Sequence, residues 1–203
     1  MKKSLSLLFV LSLLLMSFQC DDEPDEVIIT NNFKATVSDA NISMNDTLWI
    51  TGNVSSLAFN ETLGDSIPND FNNGDLVSIY RLRPATNQSN SVDAINNFEI
   101  IEAVGQTSRL GACPNGGLAI EGALSDDSSQ YRYRIGLKPI DEGDYILSWN
   151  FDTSITNTDR NTEILSNYPV DGNPNTIAFD NCGIVSTLPN IDTSEGLYFF
   201  SVE

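Results

Sequence analysis

Histidine is absent from all 203 residues. Every mechanism that needs an imidazole is thereby excluded, the serine–histidine triads and the usual zinc sites among them. Bases are scarce as well: ten Lys and Arg stand against 28 Asp and Glu, a formal net charge of −18. Such a field repels phosphate backbones, which argues against nucleic acid as a partner; it favours solubility and attracts divalent cations. Helix formers are few, whereas Asn, Ser, Thr and Asp abound, as turns and exposed strands require. The chain contains no G-x-S-x-G elbow, S-x-x-K pair, Walker loop, dinucleotide fingerprint or H-E-x-x-H pair. Carboxylates are plentiful, which leaves an acid pair for glycoside hydrolysis open. With this many acids, most chance pairs are solvated surface.

A long hydrophobic run occurs once. Lys2 and Lys3 precede Leu5 to Met16, which is almost wholly apolar. That run has the length of a signal-peptide core and is too short to span a bilayer comfortably. It ends in Ser17-Phe18-Gln19-Cys20, and Asp21, Asp22, Glu23, Asp25 and Glu26 follow. A plain secretory site would show small residues at the cut, which Phe18 and Gln19 are not. The segment resembles the leader of a Bacteroidota exported lipoprotein, with Gln19 where a small residue is usual. The acidic run is similar to the tag that sends such proteins to the outer face of the outer membrane. The resemblance implies a lipidated Cys20 as the mature N-terminus and attachment to the outer membrane at the cell surface. The alternative is an ordinary cleaved signal peptide with a stray cysteine. Each buried acyl CH₂ contributes about 0.8 kcal/mol, and stable anchoring needs more than one chain. A multiply acylated Cys20 meets that condition.

This divides the chain into a leader over 1–19, a lipidated cysteine and acidic tether over 20–32, and one β domain over 33–203. If Cys20 carries lipid, Cys113 and Cys182 remain as a pair in an oxidising compartment and read as a disulfide. It would close a loop of about 70 residues, worth roughly 4 kcal/mol in the chain-entropy model. The metal reading is poorer, since two distant cysteines without histidine do not make a zinc site.

Downstream, period-2 alternation dominates. Val27 to Ser38 reads as a first strand region, broken near Asn31 and Asn32. In Thr47 to Ser55, Leu48, Ile50 and Val54 share a face, and Gly52 marks a bulge or a close backbone approach. Phe59 to Asp75 reads as a long polar connection. Its acids suggest calcium, but from Asp70 the third position is Asn72 and the fifth is Gly74, which breaks the EF-hand spacing. A solvated loop is the plain reading; a non-EF calcium site or a binding loop is the alternative. No cofactor is expected otherwise. Leu76 to Leu82 is a strand ended by Pro84, Ala85 to Asn97 a polar connection, and Phe98 to Val104 a strand. Tyr131, Tyr133, Ile135 and Leu137 share one face, with Arg132 and Arg134 on the other. These arginines read as an outward ladder facing carboxylates, with an acidic-sugar patch as the alternative. Asp152 to Tyr168 holds the one weakly helical stretch, capped near Thr158. Thr176 to Ser186 reads as a single strand carrying Cys182.

Asp141-Glu142-Gly143-Asp144-Tyr145, followed by Trp149, resembles the turn and strand start of the immunoglobulin-like tyrosine corner. The resemblance implies a Tyr145 hydroxyl bonded back to the backbone and an inward face of Tyr145, Leu147, Trp149 and Phe151. Leu147 stands where antibody domains carry a cysteine, so that subtype is not implied. Asp46-Thr47-Leu48 and Asp65-Ser66-Ile67 resemble the O-glycosylation acceptor of Bacteroidota exported proteins, with Ser66 the better placed and Thr47 the other candidate.

The expected fold is all-β, an immunoglobulin-like sandwich of about eight or nine strands. The expected role is a non-catalytic, lipid-anchored surface module that binds a protein or glycan partner. The alternatives are a carboxylate-based hydrolase on the same scaffold and a structural spacer. A hydrolase requires two acids facing each other across a cleft, one with a raised pKa.

Overall fold

The computed structural model describes residues 26–70, 73–86, 89–149, 153–158, 161–170, 176–182, 184–188 and 196–203. The chain is all-β. Its strands are β1 (Ile28–Ile29), β2 (Lys34–Val37), β3 (Asn41–Ile42), β4 (Leu48–Ser55), β5 (Leu57–Asn60), β6 (Asp65–Pro68), β7 (Gly74–Thr86), β8 (Ser89–Asp93) and β9 (Phe98–Val104). They continue as β10 (Gln106–Arg109), β11 (Leu118–Glu121), β12 (Ala123–Leu124), β13 (Gln130–Pro139), β14 (Gly143–Trp149), β15 (Ser154–Ile155), β16 (Ile177–Asn181), β17 (Ile184–Leu188) and β18 (Leu197–Val202). A 3₁₀ turn spans Ile95–Asn97, and α1 spans Thr162–Ser166.

The largest sheet runs β17-β16-β8-β7-β14-β18-β3, with β11 also on β7 and β10 on β11. A second runs β12-β13-β4-β2-β15, with β9 on β13. A small third sheet has the order β1-β5-β6. The two larger sheets are mixed: β15 on β2, β16 on β8 and β18 on β3 are parallel pairs.

Alternation builds the core. Leu48, Ile50 and Val54 of β4 and Tyr131, Tyr133, Ile135 and Leu137 of β13 meet Val77 and Ile79 of β7, Tyr145, Leu147 and Trp149 of β14, and Tyr198 and Phe200 of β18 in one buried cluster. The two larger sheets therefore share a core. Gly52 is a close approach rather than a bulge: it pairs with Tyr133, whose ring occupies the space a Cβ at Gly52 would take.

The large sheet is buried on its other face as well. Tyr80, Leu82, Ile146, Leu197 and Phe199 form a second cluster with Ile164 and Leu165 of α1. This explains the unbroken apolar runs Tyr145–Leu147 and Leu197–Phe200, since a strand covered on both faces has no polar side to show.

Five elements differ from the sequence reading. The polar connection after Phe59 contains a hairpin, β5 with β6. The connection after Ala85 contains β8, which is buried despite Ser89, Asn90 and Ser91. The stretch from Thr176 is two strands, turning at Cys182 with φ +50°. The cap of α1 is Asn161, whose side chain accepts from the Glu163 N–H. Pro84 does not end β7; the ladder to β8 shifts register between Leu82 and Thr86, where a missing N–H costs no bond.

Candidate interaction surface

The small sheet is organised by its register. Ile29 lies opposite Phe59, Ser66 is also opposite Phe59, and Pro68 is opposite Leu57. Residues directly opposite share a face, as do residues two apart. Ile29, Leu57, Phe59, Ser66 and Pro68 therefore form one face, and Val27 continues it. The other face carries Ala58 and Asn60, both buried, with Ile28 and Ile67 half-buried. Asn60 Nδ2 donates to Glu26, and its Oδ1 accepts from the Leu63 N–H in the hairpin turn.

The first face is turned to solvent. Val27, Ile29, Leu57 and Phe59 are each exposed by 46–49%, and Leu63 by 66%. Only Leu110, Leu124 and Ile140 are comparably exposed elsewhere among the described residues, and they are scattered through the sequence. Single exposed aliphatics are ordinary; a group of them on one small sheet is a candidate interaction surface.

The hairpin that carries this face is fixed at its base. The Ser56 N–H donates to Ser129 O and the Ser56 hydroxyl to Ser128 O, at 3.1 and 2.6 Å. Asn69 N donates to Ser56 O, and the Tyr131 hydroxyl donates to Asp70 Oδ1 at 2.6 Å. Asp70, considered above for calcium, is thus a hydrogen-bond acceptor; Asn72 lies outside the described residues.

The aromatic residues are placed differently. Tyr80, Tyr131, Tyr133, Tyr145, Tyr198 and Trp149 are buried. Tyr168 is half-buried, its hydroxyl on Asp144 Oδ2 at 3.0 Å. Trp49 is half-buried beneath Arg134, whose guanidinium carbon stands 4.2 Å from the ring centroid. Arg134 thus pairs with a π face where the ladder reading expected a carboxylate.

Asp75 sits between the two larger sheets. Its Oδ2 accepts from the Tyr133 hydroxyl at 2.6 Å, and its Oδ1 from the Thr153 hydroxyl at 2.8 Å and the Leu76 N–H at 2.9 Å. Burial raises its pKa above the ordinary value, against the opposing pull of those donors. Trp149 Nε1 biases the same carboxyl downward yet is buried without a hydrogen bond of acceptable geometry. A cleft of about 350 Å³ beside it is lined by Asn73, Gly74, Gln106 and Glu121 as well as Asp75. One shifted acid and a second acid at a cleft is the arrangement a hydrolase needs. The register opposes it: Ile120 lies opposite Asp75 and Glu121 opposite Gly74, so the two acids project to opposite faces. Asp75 is inward and saturated; Glu121 is outward and exposed.

The remaining sequence candidates are spread over the fold. Cys113 and Cys182 form a disulfide, with Cα atoms 5.8 Å apart. Asp93 Oδ2 accepts from the Cys182 N–H at 2.9 Å, so its carboxylate and both sulfurs lie within 4.8 Å of one another. A metal would need thiolates there, which a disulfide does not offer. The Tyr145 hydroxyl donates to Asp141 O at 3.0 Å and accepts from Asn97 Nδ2 at 3.1 Å. Gly143 has φ +143°, a value that glycine alone adopts readily, and Arg81 Nη2 braces the same turn on Glu142 O at 2.7 Å. Ser66 is exposed on the small-sheet face, Thr47 is half-buried, and Cys20 and Phe151 lie outside the described residues.

No family model, curated protein or solved structure matches this chain.

The sequence reading did not single out the apolar face. Its signal was present: Val27 and Ile29, then Leu57 and Phe59, each two apart in polar surroundings. What the sequence did not reveal was that these two short segments pair with each other.

Proposed function

We propose that this protein is a non-catalytic, lipid-anchored cell-envelope module, held at the outer-membrane surface by Cys20, that binds a protein partner. The observation that carries the reading is the concentration of exposed apolar side chains on the small sheet, at the point where the acidic tether enters the fold. The partner is a protein rather than a glycan. Sugar sites rely on exposed aromatic platforms, and of the described tyrosines and tryptophans only Tyr168 and Trp49 are even half-exposed, each already engaged. The fold proposed is an immunoglobulin-like β-sandwich extended by α1 and the small sheet. Two sheets around one core and the Tyr145-to-Asp141 corner bond support it.

Metabolic labelling with a palmitate analogue tests the anchor: label is expected on the wild-type chain and absent from Cys20→Ala. Chemical cross-linking of intact cells, followed by purification, tests the module. One stoichiometric protein is expected with the wild type and is lost with Ile29→Asp plus Phe59→Asp. An unlabelled wild-type chain overturns the anchor; a labelled chain with no stoichiometric partner leaves a spacer instead.

A further inference from the structure

We propose that the outward face of the small sheet docks on a membrane-resident protein whose contact surface is apolar at the centre and basic at its rim. The proposal deepens the function above and rests on its anchor at Cys20. Three observations restrict the occupant.

The first is charge. Glu61 continues the Leu57 and Phe59 side beyond the end of β5, and Glu26 and Asp65 stand exposed on the same small sheet, on its Asn60 side. No Lys or Arg occurs in residues 26–33 or 56–70. A second copy of the chain seated on this face would set acid against acid at the rim, and juxtaposed like charges reject a partner. A basic rim is the complement.

The second is composition. A surface that seats in the headgroup layer of a membrane draws on Lys and Arg around its apolar residues and on Trp or Tyr at the interface. This face has none of the four: its apolar side chains are Val27, Ile29, Leu57, Phe59 and Leu63, with Pro68 beside them. A bilayer is therefore a poor occupant. An apolar centre with a charged rim is the anatomy of a protein–protein contact.

The third is reach. Seven residue steps separate Cys20 from Val27. A fully extended chain covers at most about 3.6 Å per residue, so Val27, on the first strand region of the face, lies within roughly 25 Å of Cys20. A partner that meets it must present its contact surface close to the membrane.

Site-specific photo-cross-linking in intact cells tests this, with the photoreactive residue placed at Ile29 or Phe59 of the full chain and at Ile140 as an exposed apolar control. One adduct is expected at both test positions and not at Ile140. Its partner should be an integral outer-membrane protein. The yield should fall at least tenfold when Glu61→Lys and Asp65→Lys are combined, with the Cys113–Cys182 bond still formed as proof of folding. An adduct of twice the chain mass, adducts to lipid alone, equal yield at Ile140, or a yield unmoved by charge reversal each overturn the proposal. Palmitate labelling in the same cells separates the failures. A labelled chain without the adduct sinks the docking face and leaves the anchor standing. An unlabelled chain sinks the anchor and the reach argument with it.

Discussion

Tyr133 performs two tasks with one side chain. Its ring lies over Gly52 within its own sheet, and its hydroxyl crosses to Asp75 of the facing sheet. The ring cannot swing aside for a Cβ at position 52 without abandoning that bond. Gly52→Ala is therefore expected to destabilise the fold by about 1–3 kcal/mol through overpacking. Tyr133→Phe should cost a similar amount, because it strips a donor from a buried carboxyl. The two should be non-additive in a double-mutant cycle, since both act on one ring; strict additivity of the urea midpoints would refute the coupling. Asp75 adds a pH dependence. Burial raises its folded pKa above the ordinary 3.8, so the native state holds this proton more tightly than the unfolded chain does. The resulting stabilisation is complete below 3.8 and disappears as pH rises through the folded value. Asp75→Asn cannot titrate, so its stability relative to the wild type should improve steadily over that rise. Urea midpoints measured from about pH 3 to about pH 8 that run parallel for the two proteins would refute this.

At the level of elements, β8 shows how polar residues can occupy the inside of a sheet. Asn90 is fully buried between β7 and β16. Its Nδ2 donates to Tyr168 O at 2.6 Å and Thr176 O at 3.1 Å, and its Oδ1 accepts from the Ala178 N–H at 3.0 Å. One amide thus satisfies three backbone groups from the segment that follows α1. Asn90→Ala should leave them without partners and cost at least about 2 kcal/mol, read as a lowered urea midpoint. A loss confined to a few tenths would mean that water replaces the amide. The same residue explains why β8 was illegible: Ser89-Asn90-Ser91 carries no apolar period, and its burial depends on acceptors distant in sequence. By contrast the inward faces of β4 and β13 were legible because their alternation is local and goes to one core; in β14, Tyr145, Leu147 and Trp149 join that core while Ile146 faces the second cluster. The bond from the Tyr145 hydroxyl to Asp141 O was legible from the D-x-G-x-Y spacing, since it spans four residues. The small sheet was half legible. Its segments alternate, yet β1 and β5 are separated by three strands, β2 and β4 of the second sheet and β3 of the largest, and nothing in either segment names the other.

For the whole molecule, charge is the dominant quantity, and it acts with opposite signs on folding and on docking. A formal charge of −18 on 203 residues means that the compact state gathers mutually repelling acids. Added salt screens that repulsion, because the Debye length falls from about 10 Å at 0.1 M to about 3 Å at 1 M. The thermal midpoint of the isolated protein should therefore rise with sodium chloride over this range. The proposed contact should weaken over the same range, since the exposed acids of the small sheet, Glu61 foremost, attract a basic rim through solvent. The apolar centre of the face, Val27, Ile29, Leu57 and Phe59, is indifferent to that screening, so cross-link yield should fall to a plateau rather than to zero. The pair of measurements separates electrostatic steering from hydrophobic contact without any substitution. A midpoint that drops with salt would place stabilising ion pairs above net repulsion in this fold. A yield that climbs with salt would mean that the partner's rim is acidic or neutral.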